Sequence, residues 1–116
     1  MVEVEVAQQP EGFVLVRLVG EIDMSHGVPV QQAFAHALDA GRAAVLVDLC
    51  DLRFLGVAGV DWVDAAVDEL ARQGRAVAVV CAAGGPIWRI MTLLGLDRRW
   101  PVHHDVTRAA ASLSGG

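Results

Sequence analysis

Ala43-Ala44-Val45-Leu46-Val47-Asp48-Leu49-Cys50-Asp51-Leu52-Arg53-Phe54-Leu55-Gly56-Val57-Ala58-Gly59 decides the fold. It opens with five apolar residues in a row, the mark of a central strand covered on both faces rather than one. Asp48 to Asp51 closes that strand. After Phe54-Leu55 the glycines and small residues of Gly56 to Gly59 lead into a helical pattern reaching about Arg72. Val60, Val63, Val67 and Leu70 line its apolar side, and Asp61, Asp64 and Asp68 lie opposite, on a solvated side. A buried strand feeding a long amphipathic helix is the unit of an α/β domain.

Outward from this unit the same alternation continues. Towards the N-terminus, Val2, Val4 and Val6 alternate with Glu3 and Glu5, a half-exposed strand. The turn Gln9-Pro10-Glu11-Gly12 leads into Phe13 to Val19, which completes a hairpin. Gly20-Glu21-Ile22-Asp23 breaks that run. Asp23 or Ser25 is placed to cap a helix whose first turn holds Pro29, whose stripe is Val30, Phe34, Ala37 and Leu38, and which Gly41 ends. Towards the C-terminus, Ala76 to Cys81 reads as a second buried strand. Gly84-Gly85-Pro86 starts a short helix with Ile87, Ile90, Met91 and Leu94, ended by Gly95. Trp100-Pro101-Val102 is a last short strand, and Asp105 caps a helix through Leu113. The expected order is ββαβαβαβα: about five strands in a mixed, mostly parallel sheet with about four helices. One domain spans 1–116, with its core over about 2–113 and a flexible tail at 114–116.

Composition narrows the function classes. Hydrophobic residues make up 54% of the 116, enough for a real core. No apolar run reaches the roughly 18 residues that span a bilayer, and the N-terminus carries acids where a signal peptide carries positive charge. A cytoplasmic location and no membrane insertion are expected. Net charge is −5, with nine Arg and no Lys, which disfavours nucleic acid and suits a basic protein surface. Cys50 and Cys81 are expected to be free thiols.

The motifs of catalysis are missing. There is no GxGxxG, P-loop, CxxC or HExxH. His103 and His104 are neighbours on a strand end and point to opposite faces; His26 and His36 read as surface residues. Ser25 beside His26 makes no productive pair, and capping explains Ser25 better. No enzyme, no metal and no cofactor are expected.

Three stretches carry a resemblance that spans nearly the whole chain. Gly20-Glu21-Ile22-Asp23, Val45 to Leu55, and Leu93-Leu94-Gly95-Leu96-Asp97-Arg98-Arg99-Trp100-Pro101-Val102 resemble, in order and spacing, the motifs of the STAS family, anti-sigma factor antagonist type. The resemblance implies helices packed on a mixed sheet and a domain that works by docking. Antagonists of this type bind an anti-sigma factor, often an ATP-dependent kinase, and so release a sigma factor. That kinase phosphorylates a serine in an Asp-Ser-Ser-Gly motif at the start of the second helix, which breaks the complex. Gly56-Val57-Ala58-Gly59 aligns with this motif. Only Gly59 is retained, and Ala58 stands at the phosphoacceptor position, so no oxygen there can take a phosphate.

The expected partner is thus an anti-sigma factor or related ATPase-fold regulator. The expected contact residues are Asp23, Ser25, Leu55, Gly56, Val57, Ala58, Gly59, Trp62 and Trp88. Asp23 aligns with an acid near the family's docking surface, and turn formation is its alternative role. Trp62 falls outside the arc of its helix, and Trp88 stands where relatives tend to carry a polar residue. Either ring is an interface anchor or a lid over the core edge. Trp100 matches the family's core aromatic. Homodimerisation is left open. Two rival functions are an accessory subunit of an ABC-type transport ATPase, and a nucleotide- or lipid-sensing module with its ligand near Gly56 to Gly59.

Overall fold

The hairpin expected at the N-terminus is the outer edge of the sheet. In the computed structural model, which describes residues 2–114, β1 (Val2–Gln8) pairs antiparallel with β2 (Phe13–Ile22), Val4 facing Leu18. The Gln9 amide donates to the Phe13 carbonyl at 2.8 Å and closes the turn. From β2 inward the pairing is parallel. β3 (Ala44–Asp48) lies beside β2, β5 (Val77–Val80) beside β3, and β6 (Val102–His103) beside β5.

The surplus strand is β4 (Leu52–Leu55), which also pairs with β2. β3 takes Phe13 to Arg17 of β2; β4 takes Gly20 to Ile22. Four residues after a turn carry too little pattern to be read as a strand, so the sheet has six strands where about five were expected. The register slips by one between Gly20 and Glu21, leaving Arg53 as an extra residue on β4. Such a bulge re-aims the side chains beyond it. Leu52 and Leu55 therefore both enter the core, and Phe54 turns outward.

Four helices cover one face of the sheet: α1 (Gly27–Leu38), α2 (Val57–Arg72), α3 (Pro86–Leu93) and the unexpected single turn α4 (Leu96–Arg99). Their Val30, Phe34, Val63, Leu70, Ile87, Met91 and Leu96 meet Val14, Val16, Leu18, Val45, Val47 and Val79. α5 (Val106–Ser114) covers the other face alone, with Ala109 against Phe13, Leu46, Ala78 and Val80. Two expectations fail locally. Leu94, read as a core residue of the third helix, is exposed, because α3 ends at Leu93 and Leu94 is its C-cap. Ser114, read as the start of the tail, closes α5; the rest of that tail lies outside the described residues.

At the C-terminal end of α1 the structure buries a charge. The Arg75 guanidinium, 5% exposed, donates to the carbonyls of Ala43 (2.8 Å), Leu38 (3.0 Å) and Ala37 (3.0 Å). The last carbonyls of a helix have no partner within it, and a cation there also meets the negative end of the helix dipole. Asp64, expected in solvent, is half-buried: it accepts from the Trp100 indole at 2.8 Å and pairs with Arg99. That bond satisfies the one polar atom of the buried Trp100.

Candidate docking surface

The β2–α1 turn and the entrance of α2 come together at the carboxyl end of the sheet. Asp23 organises the turn. Its Oδ1 accepts from the Ser25 amide at 2.8 Å and the Ser25 hydroxyl at 2.5 Å, while its own amide donates to His26 Nδ1 at 3.0 Å. This capping box holds a 3-10 turn at Met24–His26. The Ser25 hydroxyl and amide, then the His26 ring, hold the Asp23 carboxyl below its usual range. Asp23 caps this turn and not α1, whose N-cap is His26 with no side-chain cap, so neither expected candidate caps the helix itself. With Asp23 and Ser25 both turned into the cap, the residue between them, Met24, projects outward at 82% exposure.

The second loop is fixed to the first by one bond: the Gly56 amide donates to the Ile22 carbonyl at 2.9 Å. Gly56 is the N-cap of α2 and gives it no side-chain cap. Val57 stands at the first helical position, 77% exposed; Phe54, on the far side of Gly56, is 49% exposed. Asp23, Met24, Phe54, Gly56, Val57, Ala58 and Asp61 line a shallow cleft of about 390 Å³. Its floor and walls are apolar, and two carboxylates stand on its rim. Exposed apolar groups gathered in one place mark an interaction surface, whereas scattered ones do not.

The expected contact residues divide. Asp23, Gly56, Val57 and Ala58 line the cleft, and Ser25 is exposed beside it. Leu55 and Gly59 were expected on the docking surface and are buried. The bulge at Arg53 drives Leu55 inward to 3% exposure. At Gly59 α2 passes tight against the sheet: a Cβ there would lie 2.6 Å from Leu55 Cδ1 and 2.8 Å from Ile22 Cγ2. Its glycine serves packing. Trp62 and Trp88 do not form a pair at the cleft. Trp62 lies between α1 and α2, its ring so close over Gly27 that a Cβ there would stand 2.9 Å from it. Trp88 packs edge-on against His104, ring centroids 4.5 Å apart. Both rings cover the core edge.

Sequence reading missed Met24 and Phe54. A large apolar side chain between two capping residues was the available signal for Met24. For Phe54 there was none, since strict alternation puts it with Leu52 and only the bulge separates them.

Cys50 and Cys81 are free thiols. Burial, and for Cys50 the neighbouring Asp48, push them up to about 12 and about 11. Neither has the lowered pKa of a reactive cysteine. No group of three His, Cys, Asp or Glu side chains able to hold a metal occurs among the described residues, and no helix there is long and apolar enough to cross a membrane.

A STAS domain model matches residues 5–109. The chain belongs to the STAS domain family. Among characterised STAS proteins, it is 28% identical over 105 residues to the anti-sigma-F factor antagonist RsfB of Mycobacterium tuberculosis, covering 90% of this chain and 84% of RsfB. An anti-sigma factor antagonist from Mycobacterium paratuberculosis superposes with a TM-score of 0.85 at 26% identity, over 97% of this chain and 94% of that one. The anti-sigma factor antagonist SpoIIAA in its unphosphorylated form shares the fold, with a TM-score of 0.71 at 17% identity over 98% and 99% of the two chains. The STAS resemblance drawn from the three motif stretches, and the mixed-sheet α/β fold it implies, hold.

Proposed function

We propose that this STAS domain is a regulatory docking protein that binds an anti-sigma factor through the cleft at the α2 entrance, without catalysing a reaction. The observation that carries this reading is the exposed trio Met24, Phe54 and Val57 around one cleft, rimmed by Asp23 and Asp61. The names of the relatives supply the class of partner. The fitting surface is an apolar knob flanked by Arg or Lys, which matches the rim acids and the net charge of −5.

Docking at this site is constitutive, or controlled away from position 58. Ala58 brings a methyl group to the cleft where a phosphorylated relative would bring a hydroxyl, so the entrance of α2 stays uncharged. Asp23 carries two roles at once: it caps the turn and borders the cleft.

Calorimetry against anti-sigma factors of the source cell tests the reading. Ala58→Glu sets a charge at the cleft wall and lowers affinity tenfold or more, with the melting temperature kept. Equal affinity for Ala58→Glu and the parent removes this cleft from the interface. Affinity capture that returns an ABC-type ATPase in place of a sigma regulator replaces the partner class.

A further inference from the structure

A second concavity sits where the sheet changes sides. After β5 the chain passes to α3, on the face that also carries α1 and α2; after β6 it passes to α5, on the opposite face. β5 and β6 are adjacent and parallel. Loops that leave neighbouring parallel strands towards opposite faces open a crevice at their carboxyl ends, and such switch points are where open α/β sheets hold ligands. Here lies a hollow of about 360 Å³ lined by Val102, His103, His104, Asp105 and Arg108.

The lining holds one arginine and one aspartate beside two histidines. Arg108 has no carboxylate within ion-pair distance among the described residues. Its neighbour Asp105 is turned into the helix cap, where Oδ1 accepts from the Arg108 amide at 3.0 Å. The helix end is therefore already occupied, and the side chains remain. His104 is held in place: Nδ1 lies 3.0 Å from the Cys81 carbonyl, and Trp88 packs against the ring. A carbonyl only accepts, so Nδ1 carries the hydrogen, and Nε2 of the neutral ring is an acceptor open to the P–OH of a protonated phosphate. An arginine fork beside an acceptor nitrogen suits a protonated phosphate: the fork donates to P–O⁻ and Nε2 accepts from P–OH. The guanidinium disfavours a metal cation.

We propose that this hollow binds a phosphate group, as free phosphate or as a small phosphomonoester, with Arg108 as the main donor and His103 and His104 beside it. The site shares no residue with the docking cleft and does not depend on its reading.

NMR titration of the ¹⁵N-labelled protein with inorganic phosphate, at constant ionic strength against chloride, tests the assignment. Saturable shifts are expected at His103, His104 and Arg108, and Arg108→Gln weakens the fitted affinity by about tenfold. His103→Gln weakens it less, and decides the matter if Arg108→Gln does not fold. A parallel titration with glucose 6-phosphate separates the sources: tighter binding than phosphate identifies an organic ester, and equal binding identifies phosphate alone. Shifts that do not saturate, or variants that bind phosphate like the parent, overturn the proposal.

Discussion

The two ends of the α1–α2 layer break the usual rule of inside and outside in opposite directions. Where α1 ends, a charged side chain is buried and every N–H it aims inward meets a carbonyl. Where α2 begins, a valine, a phenylalanine and a methionine face solvent. The first violation is satisfied within the chain and stabilises it. The second is unsatisfied within the chain and has a use only if something covers it. Burial of a polar group and exposure of an apolar one thus report different things: the former reads as architecture, the latter as recognition.

The most severe way to break this contrast is Arg75→Ala. It removes the side-chain donor from the part-buried carbonyls of Leu38 and Ala43 and from that of Ala37, which keeps the Ala40 amide, so unfolding in urea should show a loss of about 2 kcal/mol. Partner affinity below the new transition should not change. A loss under about 0.5 kcal/mol would show that water replaces the guanidinium and that this end is not built as described.

Two positions on the first turn of α2 sharpen the contrast further. Gly59→Val forces side-chain atoms into the space of Leu55 and Ile22 and should cost about 2 kcal/mol, again by denaturant titration. Val57→Asp, two residues earlier, should change stability by less than about 0.5 kcal/mol and can raise it slightly, since an acid suits the first turn of a helix. The same Val57→Asp should lower partner affinity tenfold or more by calorimetry. If the two swap effects, the orientation of α2 on the sheet is wrong.

The smallest effect concerns Asp23. Its carboxyl is held below the ordinary carboxylate range in the folded chain, so its cap is fully present above the unfolded value of about 3.9. The cap is lost as pH falls through the lower folded value. The protection factor of the Ser25 amide, its exchange measured against the intrinsic rate at each pH, should fall across that window. Asp23→Asn, which keeps an acceptor, should flatten the profile, whereas Asp23→Ala should leave Ser25 unprotected at every pH. A profile unchanged in Asp23→Asn would assign the turn to something other than the carboxylate.

Much of this architecture was legible because it is periodic. Val45 to Val47, Val60 to Leu70 and Val77 to Cys81 each repeat one rule over several residues, and each took its expected place. The candidate site was legible only in part because it is made of exceptions. Leu55 and Phe54 trade faces through a single inserted residue, Arg53, and no count of apolar spacing reveals an insertion whose partner strand lies thirty residues away. Gly59 matched a family motif and so looked functional, while its lack of a side chain answers to Leu55 and Ile22. Arg75 offered no hint either, because its three acceptors are backbone atoms of residues more than thirty positions earlier.

The bond from the Gly56 amide to the Ile22 carbonyl has a thermodynamic consequence. It joins both walls of the cleft to the last residue of one central strand, so the walls cannot swing independently. Under the proposed docking, an arriving protein would meet a mould already set, with little ordering entropy spent at the moment of contact. Selectivity would then come from rejecting shapes that do not match this backbone frame.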